Sequence, residues 1–173
     1  MQEYINLTDA QGARIGKSEK IFAHKKGLLH EAFSLFIFNN QKELLLQKRA
    51  IGKYHSGGLW TNTCCSHPRY EELLETAIHR RLLEEMGFDC QMQNIGHIVY
   101  TAPFDNGLQE HEFDYLFIGT YPASGNIHPD PLEVSDWRWI SLEKAENDAN
   151  SNPENYTEWF KIIISKHLLE KHI

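Results

Sequence analysis

The segment that most limits the folds open to this chain is residues 71–86. Leu73, Leu74, Ala77, Ile78, Leu82 and Met86 fall there at helical spacing, and Gly87 follows as a stop. An amphipathic stripe of that length has to be buried against something, and the rest of the chain reads mainly as strands. Residues 33–38 are an apolar run, residues 39–43 are turn-like and residues 44–46 resume the run, which predicts a β-hairpin. Residues 95–100 and 113–121 read as strands, Asp-Trp-Arg-Trp-Ile at 136–140 alternates like one, and residues 155–169 suggest an amphipathic C-terminal helix. Strands with helices on their flanks predict an α+β fold. No repeat, low-complexity tract or linker divides the chain, so residues 1–173 are read as one domain.

Composition narrows the function. An apolar share of 41% over 173 residues is enough for a buried core and excludes disorder as the main state. With 17 basic against 24 acidic side chains, the net charge of −7 opposes nucleic-acid binding, and any anionic ligand must meet a local basic pocket. The first ten residues lack the basic and apolar regions of a secretory signal, and no apolar run approaches the roughly 20 residues of a membrane span. A cytoplasmic, monomeric protein is expected. Ten histidines and three cysteines, too few for a disulfide framework, direct attention to metal or thiol chemistry in a reducing compartment.

Reactive groups are densest in Trp60-Thr61-Asn62-Thr63-Cys64-Cys65-Ser66-His67-Pro68. An extended backbone there turns Cys65 and His67 to one face and Cys64 to the other, so one thiol can face a site while its neighbour faces the core. In Glu110-His111-Glu112 a strand places both glutamates on one face with His111 opposite, an arrangement that serves metal binding, acid–base work or merely a solvated edge. His24 and His30 flank Lys25-Lys26, and each alone would be an ordinary surface histidine. Three histidines and two carboxylates can nonetheless form a mixed shell suited to Mn²⁺, Mg²⁺ or Zn²⁺.

The helix at 71–86 carries a further pattern. The Nudix signature, Gly-x5-Glu-x7-Arg-Glu-U-x-Glu-Glu-x-Gly-U with U bulky and apolar, lies on it without insertion: Glu72, Arg80, Leu82, Glu84, Glu85, Gly87 and Phe88 match. Ser66 replaces the first glycine, and Arg81 replaces a glutamate of the metal-binding cluster that activates water in Nudix hydrolases. An arginine at that point suits a diphosphate that is held and not cut. An exposed lattice of Arg80 with Glu84 and Arg81 with Glu85 would explain the charges alone, but not the remaining matches.

Trp60-Thr61-Asn62 followed by Cys65-x-His67-Pro68, the altered Nudix helix and Glu110-x-Glu112 together resemble the type I isopentenyl-diphosphate delta-isomerases, over a span from about Lys20 to the C-terminal helix. The resemblance implies a Nudix-like α/β/α sandwich with a mixed β-sheet between helices, and the isomerisation of isopentenyl diphosphate to dimethylallyl diphosphate. It implies Cys65 and Glu112 as catalytic groups on opposite faces of the substrate, with Tyr100 as an aromatic partner in the proton path. It further implies His24, His30, His67, Glu110 and Glu112 as ligands of Mn²⁺ or Mg²⁺, sometimes Zn²⁺. Glu85 and the backbone carbonyl of Cys65 would meet a second Mg²⁺ that arrives with the diphosphate. Lys20, Arg49, Lys53 and Arg81 match the diphosphate binders, Ser34 a substrate-lining position, and Trp159 the aromatic wall that steadies a carbocation. The remaining histidines read as ordinary, and Cys64 and Cys90 as structural. The implied partner is a small prenyl diphosphate. The rival readings are a Nudix hydrolase of a nucleoside diphosphate derivative and a non-catalytic Nudix-like binding module.

Overall fold

The computed structural model describes residues 3–173. In chain order the elements are β1 (Tyr4–Thr8), β2 (Arg14–Glu19), α1 (Lys20–Lys26), β3 (His30–Phe38), β4 (Glu43–Arg49), β5 (Trp60–Thr61), β6 (Cys64–Ser66), α2 (Leu74–Met86), β7 (Met92–Pro103), β8 (Gln109–Thr120), β9 (Val134–Ser141), α3 (Leu142–Ser151) and α4 (Glu158–Ile164). All the strands join one mixed sheet. β3 lies at its centre, parallel to β8 from His30↔Glu112 to Phe38↔Thr120. It is buried along its whole length, as a strand covered on both faces must be.

Period-two alternation sorts the strand side chains between two cores. Phe33, Leu35 and Ile37 of β3, Leu45 of β4 and Cys64 of β6 pack with Ala77, Ile78, Leu82 and Met86 of α2. Phe36 and Phe38, Leu44 and Leu46, and Ile98, Tyr100 and Ala102 of β7 pack on the opposite face against Leu142, Ala145 and Ala149 of α3 and Trp159, Phe160 and Ile163 of α4. The result is the expected α+β sandwich, with helices on both faces of the sheet. Gly87 ends α2 at φ 73°, and a Cβ there would stand 2.2 Å from the carbonyl oxygen of His128, so glycine is required twice over. No helix among the described residues is long and apolar enough to cross a membrane.

The expected hairpin of residues 33–46 forms only at its tip. β3 and β4 pair at Phe38↔Leu44 and then diverge. The segment 60–66 enters the fork, β5 pairing with β4 at Thr61↔Gln47 and β6 with β3 at Cys65↔Ser34. Buried polar side chains fill the gap between ladders. The Thr63 hydroxyl accepts from the Ile37 N–H at 2.9 Å and donates to the Leu45 carbonyl at 2.7 Å, while Asn62 Nδ2 donates to the carbonyls of Leu35 and Cys64. The C-terminal helix is also shorter than expected. Residues 155–169 contain only α4, which follows a one-turn 3-10 helix at Pro153–Asn155. α3 and the β1–β2 hairpin were not expected: α3 has few apolar residues, and its start is set by the Ser141 hydroxyl capping the Lys144 N–H.

Candidate active site

A cleft of about 420 Å³, mouth included, is lined by Cys65, Tyr100, Glu112, Trp159 and the four cations Lys20, Arg49, Lys53 and Arg81, among others. Alternation explains the convergence. Glu110, Glu112 and Asp114 share one face of β8, Tyr100 stands opposite Glu112 on β7, and His30 stands opposite Glu112 on β3. His111 turns away and its Nδ1 lies 2.9 Å from the Gly27 carbonyl oxygen. Cys65 and His67 both line the cleft, whereas Cys64 is buried toward α2.

His24, His30, His67, Glu110 and Glu112 are all buried, and one ligand atom from each lies within 4.8 Å of the others. His24 Nε2 is 3.0 Å and His30 Nε2 3.8 Å from Glu110 Oε2, and His67 Nε2 is 2.9 Å from Glu112 Oε1. The Nδ1 atoms of His24 and His30 sit 2.7 Å from the carbonyl oxygens of Lys20 and Leu28. That backbone contact orients each ring and directs Nε2 inward, as in metal-binding histidines. His30 Nε2 and His67 Nε2 approach to 3.2 Å, while His24 Nε2 and Glu110 Oε2 are buried and, though close, are not aligned as a hydrogen bond. Inward-facing ring nitrogens, two buried carboxylates and the unpartnered His24 Nε2 and Glu110 Oε2 fit a divalent cation. Burial pushes His67 down to about 4, leaving it neutral at pH 7. Burial would raise Glu110, but His24 and His55 outweigh it and hold the carboxyl well below the usual range.

The Tyr100 hydroxyl donates to Glu112 Oε2 at 2.6 Å, joining the aromatic wall to the cluster. Burial and Glu112 keep that phenol protonated, well above its ordinary range. Burial likewise pushes the Cys65 thiol upward against the opposing charge of Arg49, so Cys65 is a neutral thiol in this environment. The Arg49 guanidinium lies 5.2 Å from the centre of the Trp159 ring. Lys20 Nζ is 3.1 Å from Glu3, Lys53 pairs with Glu133, and Arg81 reaches Glu84 at 2.8 Å, Glu133 at 3.4 Å and Glu85. Glu85 is buried, and its other oxygen accepts from Gln47 Nε2 at 2.8 Å.

Ser34, expected at a substrate-lining position, is held by a buried acid. It is buried, and its hydroxyl donates to Asp114 Oδ2 at 2.8 Å, because the two residues project from the same face of the paired strands β3 and β8. Asp114 is fully buried, and burial with the nearby Glu112 charge holds it protonated. The assignment of every histidine beyond three to an ordinary role also needs correction. His55 is 6% exposed and its Nε2 lies 3.0 Å from Glu110 Oε1. Its position two residues after Lys53 was the only local signal. Gln47 and Glu133 had none, since a lone glutamine or glutamate in a strand or loop reads as solvated.

A NUDIX domain model matches residues 28–160. The chain is 50% identical to isopentenyl-diphosphate Delta-isomerase 2 of Photorhabdus laumondii, over 95% of this chain and 92% of that protein. It is 46% identical to the isopentenyl-diphosphate Delta-isomerase of Burkholderia multivorans, over 96% and 93%. Among solved structures, DR0079 from Deinococcus radiodurans superimposes with a TM-score of 0.78 at 14% identity, covering 95% of this chain and 98% of that one, a likeness of fold alone.

Proposed function

The chain belongs to the isopentenyl-diphosphate Delta-isomerases of the NUDIX domain family, and from that premise we propose that its cleft carries the proton exchange between Cys65 on one wall and Glu112 with Tyr100 on the other. The enzyme converts isopentenyl diphosphate to dimethylallyl diphosphate. The observation that carries the residue assignment is the convergence of Cys65, Tyr100, Glu112, Trp159 and four cations on one cleft.

The double bond moves by a 1,3-shift: a proton is added to the terminal alkene carbon and another is removed from the CH2 on the far side of the methyl-bearing carbon, which carries the positive charge in between. An alkene is a weak base, so the acid must be desolvated and water must be excluded, since water would trap the cation. Tyr100, buried and protonated, and Cys65, a protonated thiol half-buried in the cleft wall, are suited to the first need. Tyr100 passes a proton along its 2.6 Å bond with Glu112, and Cys65 exchanges one from β6. Trp159 offers an aromatic face to the transient positive charge without a lone pair that could capture it. Lys20, Arg49, Lys53 and Arg81 bind the diphosphate, whose oxygens replace the carboxylates of Glu3 and Glu133 on the lysines and on Arg81. That remote binding energy holds the alkene against the acid.

His24, His30, His67, Glu110 and Glu112 would hold Mn²⁺ or Mg²⁺, with Zn²⁺ also suited to so nitrogen-rich a set, and Glu85 with the Cys65 carbonyl would meet a Mg²⁺ carried in by the substrate. When bound, these ions supply the positive charge that neutralises the two buried glutamates and the diphosphate.

Incubation with isopentenyl diphosphate and Mg²⁺ in D₂O tests the reading, with nucleoside diphosphate derivatives run separately. Deuterium should enter the allylic product and no phosphate should leave the nucleotides. Phosphate release from nucleotides without deuterium exchange would return the chain to the hydrolases.

A further inference from the structure

His55 has no role in the exchange or in the ligand set, yet it reaches the buried cluster. Its Nε2 is 3.0 Å from Glu110 Oε1, while Glu110 Oε2 faces His24 and His30 at 3.0 and 3.8 Å. A carboxylate 3% exposed cannot leave one oxygen bare without a large desolvation cost. The ring that meets it is held from several sides. Phe104 stacks on it at 4.4 Å between ring centres and 12° between planes, and Tyr54 packs edge-on at 4.4 Å. Its Nδ1 lies 3.2 Å from Ser56 Oγ, and its backbone carbonyl accepts from Arg49 Nη2 at 3.2 Å. These contacts leave Nε2 as the nitrogen presented to Glu110.

We propose that His55 is a positioning residue that backs Glu110: its buried Nε2, 3.0 Å from Oε1 but not aligned with it as a hydrogen bond, turns its N–H onto Oε1 when Oε2 swings toward the metal. The same ring meets Trp159 edge-on at 5.7 Å, which ties the orientation of the metal-facing carboxylate to the aromatic wall of the cleft. Groups behind a ligand fix its direction and basicity without touching the ion. The inference rests on the metal reading given above and adds a residue outside that ligand set.

Mn²⁺ titrated into the full chain and followed by electron paramagnetic resonance tests it, using the wild type, His55→Phe, His55→Gln and His55→Ala. Phenylalanine keeps the stack on Phe104 and removes the N–H, whereas glutamine restores a donor. His55→Phe and His55→Ala should each weaken Mn²⁺ about 10- to 100-fold and change the spectrum of the bound ion, and His55→Gln should recover most of the affinity. Wild-type affinity and spectrum in His55→Phe would overturn the proposal and leave the metal site standing. Should His55→Phe fail to fold, equal loss in His55→Gln and His55→Ala overturns it. Absence of Mn²⁺ binding by the wild type would instead remove the metal reading beneath it.

Discussion

Cys65 and Glu112 differ from their neighbours less in type than in direction. Cys64 is as buried as any residue in the protein and points to α2, while Cys65, one residue on, lines the cleft. Replacing Cys65 with Ala, or Glu112 with Gln, should lower the deuterium-exchange rate at least about a thousandfold, at the upper part of the range for a lost acid or base, with pyrophosphate affinity largely kept. Isothermal titration beside the exchange assay separates the two effects. A second residue-scale pair affects stability and not turnover. Glu72 accepts from Arg80 Nε at 2.6 Å and Nη2 at 2.7 Å; burial alone would raise it, but Arg80 and the Arg69 N–H hold its carboxyl below the ordinary 4.5. A depressed folded-state value means stability that is present above about pH 4.5 and lost as pH falls through the folded value. Urea unfolding of wild type against Glu72→Gln should therefore show a difference at pH 7 that closes as the pH falls through the lowered folded-state value, and a gap that persists once the carboxyl is protonated would refute the linkage.

At the scale of elements, the fork between β3 and β4 admits the segment that carries Cys65 and His67 to the cleft, and Thr63 ties its two sides together. Its hydroxyl bonds a donor on β3 and an acceptor on β4, in place of the ladder that the two strands would otherwise make directly. Thr63→Val keeps the shape but orphans a buried N–H and a buried C=O, so a loss of about 2–4 kcal/mol is expected in urea unfolding. A loss under about 0.5 kcal/mol would mean that the fork is held by packing alone. The helical periodicity of α2 was legible from Leu74 to Met86 because one side of it is covered by a single apolar surface, whereas residues 71–73, read as its first turn, precede the helix, with Glu71 at φ 65° and Leu73 exposed. The forked hairpin was not: residues 33–46 read as an apolar run, a turn and a second run, and nothing within them announces that residues 60–66 will separate the strands. Similarly, α4 ends by Ser165 although apolar residues continue to Leu169, which tucks into the core from outside the helix.

For the whole molecule, five buried ligand atoms from α1, β3, β8 and the segment after β6 gather at one point. An ion there cross-links elements far apart in sequence and binds the folded state alone. Stripping it with a chelator should lower the melting temperature by about 5–10 °C, taking metal at a hundredfold over its dissociation constant. Differential scanning calorimetry with and without Mn²⁺ checks this, and an unchanged melting curve would argue that the cluster is held by hydrogen bonds only. The acidic average of the surface coexists with four cations around one cleft, since charge acts on a ligand locally and is screened beyond roughly 10 Å.

Several properties were determined by sequence alone, because they depend on near neighbours along the chain. The period of α2 with its glycine stop, the two-residue alternation that separates Cys65 from Cys64 and Glu110 and Glu112 from His111, and the motif residues that resemble a known family were all legible there. Tertiary structure decided the rest. It turned Ser34 toward Asp114, brought His55 behind Glu110 and Gln47 and Glu133 to the cleft, and opened a hairpin to admit a third segment. Each of these depends on a contact between residues distant in sequence. The character of a buried polar side chain is set by the partner that satisfies it, and that partner is chosen only when the sheet closes.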